Sequence, residues 1–297
     1  MISALRRTVI GLALCLPCVS ISLAAEGLAA TEVRIAEAIH AAQATIQLGP
    51  RDIALDNQAV LKLPDGFGFI PKTEALAMME AQGNRSGPGF QGLIVGPDLA
   101  GFVAVEFAAA GYVKDEDAKD WKSEDLLKNL KEGTEAANAE RRKQGLPEFS
   151  VTGWVEVPSY DPSTHRLVWS VAARPKAPQA GGDGVNYNTY VLGREGYFSL
   201  NLITSLDRVE LEKPVVRELL AALAFNDGKR YADFNASTDR MAEYGLAALV
   251  GGFAAKKLGL LATLGIFVAK FWKVGLLAMV GIGAGAGKLL RRKKDPA

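Results

Sequence analysis

From Gly245 to Leu290 the chain is almost wholly apolar and small, interrupted only by Lys256, Lys257, Lys270, Lys273 and Lys288, and it closes on Arg291, Arg292, Lys293 and Lys294. That pattern reads as a membrane segment with a basic stop. A span needs about 20 apolar residues, and a lysine at the bilayer centre costs about 3 kcal/mol, so the lysines decide which stretch crosses. In the layout we expect, residues 241–273 form a juxtamembrane amphipathic segment, with Lys256, Lys270 and Lys273 on one helical face. Residues 274–290 then cross as a transmembrane helix with Lys288 reaching back to the surface, and 291–297 form a basic cytoplasmic tail. A second layout has Leu258 to Val280 crossing with two lysines inside. A two-span hairpin would return the basic tail to the outside, against the positive-inside tendency. Gly275, Gly281, Gly283, Gly285 and Gly287 give the helix a smooth face suited to self-association, with plain tolerance of glycine as the other reading.

The opposite end has the three-part layout of a secretory signal: Arg6 and Arg7, an apolar run from Val9 to Val19, then small residues up to Ala25. The run is short for about 30 Å of hydrocarbon, so a signal peptide over 1–25 is expected rather than a retained anchor. Together the two ends predict a single-pass protein of the inner (cytoplasmic) membrane whose main domain, residues 26–240, is periplasmic. Cys15 and Cys18 fall inside the signal, so the mature chain has no cysteine, which excludes a disulfide framework, a thiol nucleophile and Cys-ligated metal. Charges nearly cancel, 34 Lys and Arg against 33 Asp and Glu, and such a chain has no global basic field to draw it to nucleic acid.

The middle of the chain alternates between the two secondary-structure periods. A first helix is expected over Thr31 to Thr45, strands through Ile53 to Leu63 and Phe67 to Ile70, a short helix from Thr73 to Gln82, and a glycine-rich loop over Gly83 to Gly92. Strands at Leu93 to Val95 and Phe102 to Phe107 lead to the acidic Asp115, Glu116, Asp117 and Asp120. These lack the turn glycine and terminal glutamate of a calcium loop and read as a solvated helix start. A charged helix over Ser123 to Gln144 carries Leu126, Leu127, Leu130 and Ala137 as an apolar stripe. Four alternating strands follow, Val151 to Val157, Leu167 to Ala173, Asn186 to Leu192 and Tyr197 to Thr204, the last two joined as a hairpin over Gly193 to Gly196. A helix from Pro214 to Phe225 closes the series. The expected class is α+β, one mainly antiparallel sheet with helices packed on it, plus the C-terminal transmembrane helix.

Chemistry-bearing residues are few. Only His40 and His165 could supply an imidazole. Gly87 to Gly92 matches G-x-G-x-x-G by letter but precedes a strand, the wrong side for a dinucleotide turn, and Gly285 to Lys288 lacks the glycine and hydroxyl of a phosphate loop. Trp154, Tyr160 and Trp169 flank a strand pair around Asp161, where aromatics serve either cross-strand packing or ligand stacking. His165 lies beside Tyr160, Asp161 and Arg166, where an imidazole, a phenol and a carboxylate could meet. Arg194, Arg230, Tyr231 and Asp233 sit between apolar strands, where Arg–Asp pairing is an adequate structural reason for them. No catalytic residue, cofactor or metal is assigned. The candidate ligand or partner surface is Trp154, Tyr160, Asp161, His165, Trp169 and Arg194.

Several strings are specific in combination: Gly153 to Asp161, Arg166 to Trp169, Asn186 to Thr189 with Leu192 to Gly196, Lys229 to Phe234, and Tyr244 to Val250. With Gly111 to Asp115, they resemble the bacterial membrane-anchored family known as domain of unknown function 2167. The resemblance implies export and anchoring and brings no reaction with it. At fold level the order of elements is similar to the antiparallel-sheet sandwiches of the PsbP and Mog1 type, which implies a binding or assembly module. The expected function is therefore non-enzymatic binding of an envelope component or another envelope protein at the membrane. The alternatives are a hydrolase or transferase built on carboxylates and His165, which needs two acidic residues within reach of that ring, and a lipid or small-molecule carrier with an apolar pocket under the Trp154 and Trp169 strands.

Overall fold

A computed structural model describes residues 33–81, 86–143, 147–176 and 183–251. The predicted signal segment, most of the predicted amphipathic segment, the predicted span and the basic tail lie outside these residues. Among the described residues no helix is long and apolar enough to cross a membrane.

The chain opens with helix α1 (residues 33–45) and the short strand β1 (Gln47–Leu48). Strands β2 (Arg51–Leu55) and β3 (Ala59–Leu63) form a hairpin. Then come β4 (Gly68–Pro71), α2 (Lys72–Ala81), β5 (Phe90–Val95) and β6 (Phe102–Ala108). After a loop and α3 (Ser123–Lys143), strands β7 (Phe149–Asp161), β8 (Arg166–Pro175), β9 (Gly184–Leu192) and β10 (Tyr197–Ser205) run as a meander. Helix α4 (Val209–Ala221), strand β11 (Leu223–Phe225) and a short α5 (Ala247–Gly251) complete the series.

The meander and the N-terminal strands form one eight-stranded antiparallel sheet in the order β1-β4-β5-β6-β10-β9-β8-β7, with a three-stranded sheet β11-β3-β2 beside it. The expected α+β class with a mainly antiparallel sheet is what the chain adopts. The β9–β10 hairpin closes over Gly193 to Gly196 as expected, with Leu192 opposite Tyr197.

Three expectations need correction. The predicted helix over Pro214 to Phe225 starts at Val209 and stops at Ala221. Leu223 to Phe225 then pair with β3, because β3 offers an unpaired edge, which outweighs continuing the helical period. The predicted loop over Gly83 to Gly92 gives way to strand at Phe90. The acidic run forms a single 3-10 turn over Glu116–Asp120 rather than a helix start.

Strand alternation splits the core. One face of the large sheet, with Val103, Val105, Phe198 and Leu200, meets the small sheet and α4 through Leu61, Val216 and Leu219. The other face carries two separate clusters. At one side α1 and α2 cover β4 and β5 through Ala42, Met78, Phe90 and Leu93. At the other, Leu126 of α3 and Leu249 of α5 cover β8 and its neighbours through Val151, Leu167 and Val171.

The second half of the α3 stripe is polar. Thr134 and Asn138 are buried there, and the Asn138 side chain clamps the Phe149 backbone, its Nδ2 donating to the carbonyl at 2.7 Å and its Oδ1 accepting from the N–H at 2.9 Å. The chain also stays in the domain past residue 240. Leu246, Leu249 and Val250 are buried, each worth about 1.5–3 kcal/mol.

Candidate functional site

The loop after β6 is tied to the segment that leads into α5. Tyr112 donates its N–H to the Arg240 carbonyl at 2.9 Å and accepts from Ala242 N–H at 2.9 Å. Gly111 makes this approach possible: its φ is +89°, and a Cβ there would lie 2.6 Å from the Arg240 oxygen. Five residues after Tyr112, the Asp117 carboxylate accepts the N–H groups of Leu246 (3.1 Å) and Ala247 (3.0 Å), holding the first turn of α5.

The β7–β8 turn arrives at the same place. Asp161 turns its carboxylate onto its own loop, accepting from Ser163 N–H (2.9 Å), Ser163 Oγ (2.6 Å) and Thr164 Oγ1 (2.7 Å). The Ser163 hydroxyl, then the Thr164 hydroxyl, hold it down at about 2. The turn leaves His165 in the left-handed region, φ 52°, which swings the ring back over β7.

There the Tyr160 hydroxyl donates to Asp115 Oδ2 at 2.6 Å and lies 3.2 Å from His165 Nδ1, while Asp115 and His165 are 3.8 Å apart. Since the phenol proton goes to the carboxylate, Nδ1–H is the donor to the Tyr160 oxygen, and Nε2 is the nitrogen left for another group. The His165 ring lies against Tyr231 at 4.1 Å. Tyr112 stacks on Tyr231 at 4.3 Å and on Phe234 at 3.8 Å, so one run of four rings backs the polar triplet. Tyr231 is fixed by donating its hydroxyl to the Val113 carbonyl at 2.9 Å.

Burial pushes the phenols of Tyr160 and Tyr231 far above the ordinary range, helped at Tyr160 by its bond to Asp115, and burial raises Tyr112 as well. All three therefore stay protonated near neutrality and present neutral hydroxyls. Among the described residues there is no group of three or more His, Cys, Asp or Glu side chains placed to hold a metal ion.

The six residues singled out in the sequence fall in three places. Tyr160 and His165 meet, and Asp161 shapes their turn. Trp154 and Trp169 pack edge to face at 6.3 Å and 84°, with Trp154 Nε1 donating to the Ser123 carbonyl beneath α3; the layer there is filled by Leu126, Val151 and Val171. Arg194 forks onto Asp239, at 2.7 and 2.8 Å, and donates to the Gly228 carbonyl, so its partner is Asp239 rather than Asp233. Sequence reasoning passed over Asp115, Tyr112 and Phe234 as site residues, and placed Tyr231 elsewhere. Only a contact across 45 residues joins Tyr160 to Asp115, and no local spacing carries it.

Compared with known proteins, residues 47–280 match the model of a family described as a protein of unknown function (DUF2167). No curated protein matches the chain in sequence. Among solved structures it is similar to cyanobacterial PsbP (CyanoP) from Synechocystis sp., at 11% identity, with 62% of this chain and 94% of that one covered. The TM-score is 0.36, too low to assign the fold.

Proposed function

Because the chain belongs to the DUF2167 family, which brings no activity with it, we propose from its own geometry that it is a non-enzymatic binding or assembly module for an envelope component or protein partner. In this reading the domain is periplasmic and is held at the inner membrane by one span beyond Gly251. The observation that carries it is the shared loop: Gly111 to Asp117 supplies both Tyr112 and Asp115 of the ringed site and the clamp on residues 240–247. A partner seated on His165 and Phe234 would thus contact the part of the domain nearest the chain's exit toward the span.

The chemistry of the site favours binding over turnover. Among the described residues one carboxylate reaches His165, through Tyr160, where a carboxylate-and-histidine hydrolase needs two; Asp161 is spent on its own turn. The phenols keep their protons and offer neither base nor nucleophile. What remains is an imidazole edge on an aromatic stack, a surface suited to a partner's polar or cationic group.

The test places a photo-crosslinker at Phe234, and separately at exposed Lys128 on α3, in the full chain in native membranes. A specific adduct from position 234 that is lost with His165→Ala supports the proposal. No adduct from position 234, together with turnover of envelope substrates by the purified full chain, overturns it. Truncations should end after Gly251, since removal from Gly245 onward takes buried Leu246 and Val250 out of the core.

A further inference from the structure

The large sheet carries a strip that no described helix covers. On the face holding α1, α2, α3 and α5, helix α2 packs on β4 and β5 and α3 on β7, while α4 meets β9 and β10 from the opposite side. The strip is formed by β6, β10 and β9.

Its side chains break the apolar rule of a sheet core. The register sets Glu106 opposite Ser199 and Ser199 opposite Tyr190; in the next row Ala104, Asn201, Asn188 and Trp169 stand side by side, with Asn186 beyond them opposite Ile203. The ends of these strands are apolar, Tyr197 and Leu192 at one end and Ile203 at the other, so the polar residues form an island in mid-sheet. They are not surface decoration. Asn188 is 5% exposed, and Glu106, Ser199, Asn201 and Asn186 are half-buried.

Buried polar groups are costly unless partnered, yet among the described residues Asn201 Oδ1 has no partner. Asn188 uses its amide on the Asn186 carbonyl at 3.1 Å. Among the described residues Glu106 has no cation beside it, and burial raises its carboxyl. The backbones of β6, β10 and β9 are fully engaged with neighbours on both sides, so a peptide cannot join as an added strand and recognition must use side chains.

We propose that this strip is a binding site for a saccharide, distinct from the His165 site and recognised by Glu106, Ser199, Asn201 and Asn186. Side-by-side carboxamides, a hydroxyl and a carboxyl both donate and accept, which matches a ligand bearing adjacent hydroxyls. Strands about 4.8 Å apart, with same-face residues about 6.8 Å apart along each, set these groups on a grid of sugar-ring dimensions. A strip without a cation among the described residues does not suit an anionic ligand, and a polar one does not suit an acyl chain.

The experiment is calorimetric titration of the full chain in mild detergent with oligosaccharides of glucose, N-acetylglucosamine and glucosamine. At least one should bind saturably, and Asn201→Leu and Ser199→Ala should each weaken it about tenfold, the worth of one buried hydrogen bond. Glu106→Gln should weaken the glucosamine oligomer more than the neutral ones, and His165→Ala should leave all three unchanged. Melting temperatures of the variants should match the parent. Absence of saccharide binding at millimolar concentration, binding undiminished in both Asn201→Leu and Ser199→Ala, or equal binding of a polar peptide overturns the proposal.

Discussion

Replacing Asn138 by leucine or by aspartate tests how the α3 helix is locked to the sheet. Asn138 is 0% exposed and Phe149, whose backbone it holds, is 1% exposed. Leucine removes both bonds and leaves a buried N–H and a buried carbonyl unpaired, at about 1–3 kcal/mol each; the apolar gain offsets about 1 kcal/mol, so a net loss of about 3 kcal/mol is expected. For a domain of this size that is about 10 °C in the unfolding midpoint, read by circular dichroism on the full chain. Aspartate discriminates the mechanism. Protonated, it can accept from Phe149 N–H and donate to the Phe149 carbonyl; ionised, it sets a buried negative charge against that carbonyl. Its folded pKa is then raised above the unfolded value of about 3.9. The stability it contributes is fully present below that unfolded value and is lost as pH rises through the raised folded one. Asn138→Asp should therefore lie nearest the parent in mild acid and farthest from it in mild alkali, each compared at equal pH. A leucine variant within 1 °C of the parent, or an aspartate deficit that is constant or larger in acid, would refute the reasoning.

Asp117→Ala should lower the midpoint by about 4–8 °C, reflecting about 2 kcal/mol for two charge-assisted bonds at a helix start, and should speed proteolysis near residue 245; Asp117→Asn, which keeps an acceptor, should recover part of both. Gly111→Ala should destabilise by about 1–3 kcal/mol in chemical unfolding, since it combines positive φ with a clash against the Arg240 carbonyl. Asp161→Asn should flatten the acid limb of the stability profile. The Asp161 carboxyl is depressed to about 2, so its contribution is present above the ordinary value and is lost as pH falls toward 2; a variant whose acid limb keeps the parent's slope would exclude this.

How much of this was legible in the sequence depended on the range of the contact. The β9–β10 hairpin could be read because Gly193 to Gly196 and the alternation beside it are local signals of one structure. Leu223 to Phe225 could not, because their spacing also continues the α4 stripe and only the edge of β3, far back in the chain, decides between helix and strand. The α3 stripe was half visible: Leu126 and Leu130 mark it, but Thr134 and Asn138 continue it with polar side chains that read as solvent-facing. At the site, Tyr160 and His165 were found through proximity in sequence. The acidic run looked like solvated charge because Asp115 and Asp117 show their purpose only against Tyr160 and Leu246.

The clamp on residues 240–247 also sets an order of assembly. As a chain emerges N-terminus first, both sheets, α3 and α4 can all be in place once β11 has formed, yet the layer around Val113, Leu126 and Trp169 stays open until Leu246, Leu249 and Val250 arrive to close it. The last of the described residues to enter the core are thus those nearest 251. A nascent domain stalled before that point would have a finished sheet and an uncovered apolar patch, the state in which it is most exposed to chaperones and to aggregation.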